Sequence, residues 1–227
     1  MNLHLLDSPP LMTNSPTYGI DGCAGGWVIS YYDQNTITYD LVKHLNDVPF
    51  KPGSIIAIDM PYRLPNDIQD YPRQSDRSAK QQLGRYHSRV FYAPLLDWLD
   101  QPYLAINRIC DANQKPKLSK QSFYLFQKIA ELQHFAQTRP ELRIAESHPE
   151  LVFHYLNNNQ PLASKKSNLG REERLKIIEN HLPFRQPQTR LKNSIKHGHD
   201  DVMDAIILLW VANQINEKNS MVQSLLF

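Results

Sequence analysis

The stretch TYGIDGCAGGW, residues 17–27, sets the pattern that the rest of the chain follows. Tyr18 and Ile20 alternate with small residues up to a glycine-rich turn, and β-branched and aromatic residues resume at Val28. This alternation predicts a strand, a tight turn and a second strand. Asp21 ends the first strand among glycines that let other groups approach closely, so its carboxylate is a candidate metal ligand. Taken alone, such an acid is better interpreted as a cap of its own turn.

Acidic residues also follow or begin later apolar segments. Asp59 follows the apolar run IIAI, and Glu146 follows the strand-like LRIA. Asp201 and Asp204 begin an apolar helix and share one of its faces. Asp200 is the alternative to Asp201, and either acid also suits a helix cap. A buried acid at position 204 needs a partner, so the acids together predict a carboxylate site.

The composition favours one large domain with a local basic segment. The chain has 227 residues, of which 41% are hydrophobic, and these are enough for one sizeable core. Nine Lys or Arg residues and three acids lie between residues 163 and 199, although the net charge of the chain is only +2. A basic segment beside carboxylates suits a polyanionic substrate that metal ions bridge to the acids. On charge alone, a solvated loop and helix face is the preferred interpretation.

The cysteines and the first residues bear on the cellular compartment of the protein. Cys23 and Cys110 show neither CxxC nor secretory spacing, which predicts a reducing, cytoplasmic compartment. Residues 1–16 lack the features of a signal peptide, so we interpret them as a flexible extension before a single domain at 17–227. No stretch approaches the roughly 18 apolar residues that a membrane span needs, and no membrane partner is expected.

Hydrophobic periodicity predicts an antiparallel meander followed by strands that alternate with helices. The expected strands are 18–21, 28–32, 37–42, 55–59 and 142–146. The expected helices are 43–48, 78–85, 121–137, 150–156, 170–181 and 200–216. The less regular region from about 62 to 119 is interpreted as an insertion over the sheet edge, where substrate loops usually lie.

Seven segments together resemble a known family. They are GIDGCAGGW (19–27), AIDMPYRLP (57–65), VFYAP (90–94), the helix at 121–131, ESHPE (146–150), SKKSNLGREER (164–174) and DDVMDAI (200–206). In this order they resemble the domain-of-unknown-function family 429, which is described as a predicted nuclease family of the RNase H-like superfamily. GIDGC with GW, ESHPE and DxxDA form a specific combination, whereas each alone is a weak signal.

The resemblance implies an α/β, RNase H-like fold. This fold has a five-stranded mixed sheet, three antiparallel strands followed by two parallel ones, with helices on both faces. The resemblance also implies catalytic roles for the acids on the first and fourth strands, in the ExHPE motif and at the start of the last helix. These acids are Asp21, Asp59, Glu146 and Asp204, and the expected metal ligands are the same four with Asp201.

Mg²⁺ or Mn²⁺ is the expected cofactor, in a two-metal site. Two-metal phosphoryl chemistry uses several carboxylates to hold cations roughly 4 Å apart, and both metals take oxygen ligands. The histidines lack zinc-site spacing, so His148 is interpreted as a substrate group or as support for the site. The candidate substrate-binding residues are Arg73, Asp76, Lys128, His148, Lys165, Lys166 and Arg174.

The favoured function is a metal-dependent nuclease that hydrolyses phosphodiester bonds of DNA or RNA. A catalytically inactive nucleic-acid-binding or scaffold protein with the same fold is the alternative, and its binding would be sensitive to salt. A small-molecule phosphotransferase is a third hypothesis, because related ATP-binding folds also place an acid and a glycine turn on the first strand. Glycine is scarce after Gly26, and no second phosphate loop is evident. The sequence identifies no protein partner.

Overall fold

The computed structural model describes residues 15–33, 36–182 and 200–227. Its strands are β1 (Thr17–Cys23), β2 (Gly26–Asp33), β3 (Thr36–Val42), β4 (Ile55–Asp59) and β5 (Arg143–Glu146). The α-helices in these ranges are α1 (Gln74–Leu83), α2 (Tyr103–Ala112), α3 (Lys120–Tyr124), α4 (Phe126–Thr138), α5 (Pro149–Leu156), α6 (Asn168–His181) and α7 (Asp200–Asn216). None of these helices is long and apolar enough to cross a membrane.

The strands form one five-stranded sheet in the order β3-β2-β1-β4-β5. β1, β2 and β3 pair antiparallel, whereas β4 pairs parallel to both β1 and β5. The predicted mixed sheet, three antiparallel strands followed by two parallel ones, is therefore confirmed. Parallel strands end at the same edge, so β1, β4 and β5 bring their last residues together.

The register of this sheet separates the strand-end acids. Asp21 lies directly opposite Asp59 on neighbouring strands, so their side chains leave the same face. Glu146 lies opposite Ile58 instead. Because successive side chains along a strand point to opposite faces, Glu146 starts from the other face of the sheet.

Helix α7 lies directly on the sheet at Gly19. A Cβ atom at this position would come within 2.0 Å of the Ala205 carbonyl oxygen and 2.1 Å of the Leu209 amide nitrogen. Only glycine permits such a close approach of helix and strand. The Ser30 hydroxyl donates to the same Ala205 carbonyl at 2.6 Å, which fixes the crossing. Asp204, one residue before Ala205, is thereby held at the end of β1.

The sheet separates two hydrophobic clusters. On one face, α5, α6 and α7 pack against side chains such as Val28 and Ala57. On the other face, α4 and parts of the 62–119 region pack against Ile20 and Ile58. The sequence of α7 has no polar stripe along one side, and the helix is accordingly buried nearly all round.

Several predicted elements were wrong in detail. The helix expected at 121–137 is two helices, α3 and α4, with a break at Leu125. The helix expected at 43–48 is a single 3-10 turn, Leu45–Asp47. The helix expected at 78–85 is α1, which begins earlier, and α2 was missed altogether. Residues 1–14, 34–35 and 183–199, which include most of the predicted flexible extension and part of the basic segment, lie outside the described residues.

Candidate active site

A pocket of about 370 Å³ opens where β1, β4 and β5 end and α7 begins. Its acidic lining residues are Asp21, Asp59, Asp76, Glu146, Glu150, Asp201 and Asp204. Its lysine and arginine residues are Arg73, Arg89, Lys165 and Lys166. The pocket thus contains nearly all predicted site residues, but it divides them into two groups with different chemistry.

The first group is a cluster of aspartates, and Asp21 lies in it with only 6% of its surface exposed. Burial raises the pKa of Asp21 well above its ordinary value of 3.8, and three neighbouring negative charges raise it further. These charges belong to Asp59, Asp204 and Asp201. We call these four residues the aspartate cluster. Their mutual repulsion in a buried place favours a cation among them.

Lys165 provides such a cation. Its Nζ atom donates to Oδ2 of Asp204 at 2.6 Å. Although burial opposes the charge, Asp204 and its neighbours raise the pKa of Lys165, which therefore stays protonated. Oδ1 of Asp204 is buried and has no hydrogen-bond partner among the described residues. Burial raises the pKa of Asp204 to about 6 even though Lys165 opposes this shift.

A tight turn before α6 positions Lys165. The Ser167 side chain caps the helix by accepting from the Gly170 amide at 3.0 Å, and it donates to the Ser164 carbonyl at 2.7 Å. A Cβ atom on Gly170 would come within 2.1 Å of that carbonyl oxygen, so the turn needs glycine there. The neighbouring Lys166 also lines the pocket, and it is exposed.

The second group is centred on Arg73 and includes Glu146, which was predicted as a metal ligand. Arg73 donates to the two carboxylate oxygens of Glu146 at 2.6 and 2.9 Å. The Tyr62 amide donates to Glu146 at 2.8 Å. Burial raises the pKa of Glu146, while Arg73 and the Tyr62 amide oppose the shift. Because these donors engage both oxygens and the register turns Glu146 away, it is a structural partner of Arg73 in this arrangement.

Arg73 and Asp76 were predicted to bind substrate, and the structure pairs them with each other. Arg73 donates to Asp76 at 2.6 Å, and the Ala93 amide donates to the second Asp76 oxygen at 2.9 Å. Both side chains are nearly buried. They tie α1 to β5 and to the segment that contains Ala93.

Arg174 was predicted to bind phosphate, but the structure buries it and pairs it with Glu150. It is 0% exposed, and one of its nitrogens donates to both carboxylate oxygens of Glu150 at 2.9 Å. Arg89 donates to the same carboxylate at 2.7 Å. Burial opposes ionisation of Glu150, but Arg174 and Arg89 outweigh it and lower the pKa of this carboxyl.

His148 and Lys128 also have structural roles, because each side chain contacts backbone groups. Nδ1 of His148 accepts from the Glu150 amide at 3.2 Å, and Nε2 contacts the Arg89 carbonyl at 3.0 Å. His148 also lines the pocket. The Lys128 ammonium donates to the Gly26 carbonyl at 2.6 Å and lies 4.6 Å from the centre of the Trp27 ring. It therefore fixes the turn between β1 and β2.

The aspartate cluster has the donors of a magnesium or manganese site, but it is not assembled as one. Within the described ranges, no group of three or more Asp, Glu, His or Cys side chains is arranged to hold a metal ion. The chemistry of the donors fits, because these metals prefer carboxylate oxygens and Oδ1 of Asp204 lacks a partner among the described residues. Lys165 already offsets part of the charge that a metal ion would neutralise.

The family model described as "Protein of unknown function (DUF429)" matches residues 19–223. The chain belongs to the DUF429 family. The match includes the whole aspartate cluster and confirms the predicted family. Neither the comparison with curated proteins nor that with solved structures gave a match. Since the description of DUF429 states no activity, the function of this member is argued from its site.

The pocket residues of this DUF429 protein that were missed as site residues include Glu150, Arg89 and Phe227. Glu150 lies inside the ESHPE segment, and its position after Pro149 resembles an ordinary acid in the first turn of a helix. Arg89 has no local pattern at all. Phe227 lines the pocket through a contact with the end of β5, which only the tertiary structure shows.

Proposed function

We propose that this DUF429 protein is a metal-dependent nuclease that hydrolyses phosphodiester bonds of DNA or RNA, and that it acts in the reducing cytoplasm. The observation that supports the proposal best is the meeting of Asp21, Asp59 and Asp204 in one pocket with a protonated lysine. Carboxylates and a cation at one place suit a substrate that is itself anionic and needs metal ions.

Mg²⁺ or Mn²⁺, when bound, supplies a nucleophilic water near neutral pH and stabilises the charge of the reacting phosphate. Asp21, Asp59 and Asp204 would hold it, and Asp201 lies beside them. Asp21 and Asp59 are fixed by strands in register, and Asp204 is fixed by the α7 crossing at Gly19. Groups on rigid elements give the most precise binding sites.

Lys165 and Lys166 provide the positive charge that the protein itself contributes. Without them the aspartates would repel a phosphate, since like charges disfavour approach in a poorly solvated place. Lys165 is partly exposed, with 34% of its side chain accessible. It can therefore donate to a phosphate oxygen at the pocket and hold the phosphate beside the aspartates.

The alternative is a nucleic-acid-binding protein without turnover, and one observation favours it. Lys165 already neutralises Asp204, so the aspartate cluster has a counterion without metal ions. In this case Asp21 has a structural role, and binding depends on Lys165, Lys166 and other basic residues.

Calorimetry with Mn²⁺ on the wild type and on Asp21→Asn tests the proposal, together with labelled single- and double-stranded DNA and RNA. Asp97→Asn is the control, because Asp97 is an exposed acid outside the pocket. Loss of metal binding and cleavage in Asp21→Asn alone supports the nuclease. If the wild type neither binds Mn²⁺ nor cleaves, and salt-sensitive binding of nucleic acid survives Asp21→Asn, the alternative is correct.

A further inference from the structure

The pocket also contains three aromatic side chains that the proposed chemistry does not use. Phe91, Tyr92 and Phe227 line it and are partly exposed. We call these three residues the aromatic wall. Lys165 and the aspartates line the same pocket, so charged and aromatic groups meet in one partly open pocket.

The segment 225–227 is fastened to the end of β5. The Phe227 amide donates to the Glu146 carbonyl at 3.1 Å, and the Ser147 hydroxyl donates to the Leu225 carbonyl at 2.7 Å. Ser147 and Leu226 form an antiparallel bridge. These contacts hold the Phe227 ring at the pocket without help from a ligand.

The Arg73 network supports both parts of the wall. Its guanidinium lies 6.0 Å from the centre of the Phe227 ring. Asp76, which Arg73 binds, accepts from the amide of Ala93, next to Tyr92. Buried ion pairs are costly to desolvate. In this protein they hold two separate chain segments, one containing Tyr92 and the other Phe227, beside the same pocket. Preorganised aromatic rings are what stacking on a planar ligand requires.

The volume of the pocket limits what can stack there. About 370 Å³ lies in the range of roughly 300–1,000 Å³ that encloses small ligands. A pocket of this volume can receive a part of one strand but not a whole double helix. A base inside a duplex is also stacked between its neighbours and cannot reach a pocket until it is extruded.

We propose that the pocket receives one nucleotide of a single strand or strand end, with its base against the aromatic wall and its phosphate beside Lys165 and the aspartates. This inference rests on the proposed function, since it names the substrate form of the same site. Aromatic stacking accepts every base, so the preference is for unpaired nucleotides and not for a sequence.

The test uses oligonucleotides of one sequence that carry 2-aminopurine, as single strands and as blunt duplexes, in DNA and RNA. Binding is measured with and without Ca²⁺ in place of Mn²⁺, and cleavage is measured separately with Mn²⁺. We expect the wild type to bind the single strand at least about tenfold more tightly and to quench 2-aminopurine by stacking.

Phe227→Leu keeps an apolar side chain at the wall but removes the ring, so quenching should fall and the dissociation constant should rise about tenfold. Phe227→Trp should restore both. Tyr124→Ala is the control, because Tyr124 is 75% exposed and lies outside the pocket lining, and it should change neither.

Equal or tighter binding of the duplex, or quenching that survives Phe227→Leu, overturns the inference. No binding of any strand by the wild type overturns it as well. Quenching and single-strand preference without any cleavage refute the nuclease proposal but support the inference, so the two failures are distinct.

Discussion

Lys165 donates to Asp204 at 2.6 Å inside a cluster of carboxylates that would otherwise repel one another. The ammonium group is an internal counterion at the place where a divalent cation is proposed to bind. The metal ion and Lys165 therefore compete for the negative charge of the aspartates, while both attract a phosphate. Changing Lys165 should consequently affect metal binding and phosphate binding in opposite directions.

Replacing Lys165 by methionine should strengthen Mn²⁺ binding and weaken cleavage. The substitution keeps most of the length of the side chain but removes the competing charge, and we expect Mn²⁺ affinity to rise about tenfold, the equivalent of about 1.4 kcal/mol. Cleavage should fall because the phosphate loses a donor. Calorimetry and a cleavage assay measure the two effects. Lys166→Met, which removes a nearby exposed charge, is the control for Mn²⁺ affinity. Weaker Mn²⁺ binding by Lys165→Met would contradict the competition between lysine and metal ion.

Without divalent metal, the protein should be more stable at pH 5 than at pH 8. The pKa of Asp204 is raised to about 6 from an ordinary 3.8, and the pKa of Asp21 and of Asp59 is also raised, in each case chiefly by burial. A raised carboxyl pKa stabilises the fold below the unfolded value, and this contribution is lost as pH rises through the folded value. The expected difference is roughly 1–3 kcal/mol.

Urea unfolding in EDTA at several pH values measures this difference. Asp204→Asn should reduce the dependence between pH 5 and 8, whereas Asp97→Asn should leave it unchanged. The pKa of Glu150 is lowered from 4.5, so its contribution is lost only at lower pH, outside this window. A wild type that is equally stable at pH 5 and 8 would show that folding does not raise the pKa of the aspartates.

Glu146→Gln should destabilise the protein without changing its affinity for Mn²⁺. Removing one partner of a buried ion pair costs roughly 3–5 kcal/mol, and Glu146 is the bidentate partner of Arg73. Thermal unfolding and calorimetry separate the two effects. Glu141→Gln is the matched control, since Glu141 pairs with Arg139 in an exposed position. Loss of Mn²⁺ binding with unchanged stability would instead support the metal role that the sequence predicted.

Gly19→Ala should prevent or strongly disturb folding. The added methyl group would meet the backbone of α7, which cannot move away without lifting the helix off the sheet. We expect a loss of about 3 kcal/mol or more. Gly25→Ala is the control, because no atom lies within 4 Å of a Cβ built there. Circular dichroism during heating compares the variants, and a Gly19→Ala protein as stable as Gly25→Ala would refute the crossing.

The sequence predicted the parts of the fold that have strong local patterns. The alternation around Asp21, the apolar run before Asp59 and the long apolar helix with Asp204 each appear where expected. The break between α3 and α4 and the whole of α2 were not predicted, since their patterns are weak and tertiary packing decides them.

The sequence predicted that the four aspartates meet in one pocket, because acids at strand ends and at the start of a buried helix are costly to bury unless they meet a cation or a hydrogen-bond donor. The role of Glu146 was not predictable, since one residue of register decides which face it leaves. Arg174 and Lys128 look like surface cations in sequence, and only the fold shows that carboxylate and carbonyl groups engage them. The contact of Phe227 with β5 has no local signal.

The docking of α7 on β1 also has a kinetic consequence. Asp21 and Asp204 come from opposite ends of the folded chain, and contacts between distant residues form late because loop closure opposes them. A chain whose sheet has formed before α7 docks therefore brings together Asp21 and Asp59 without Asp204. During refolding, the aspartate cluster should appear after the sheet, so a partly folded chain carries no complete site.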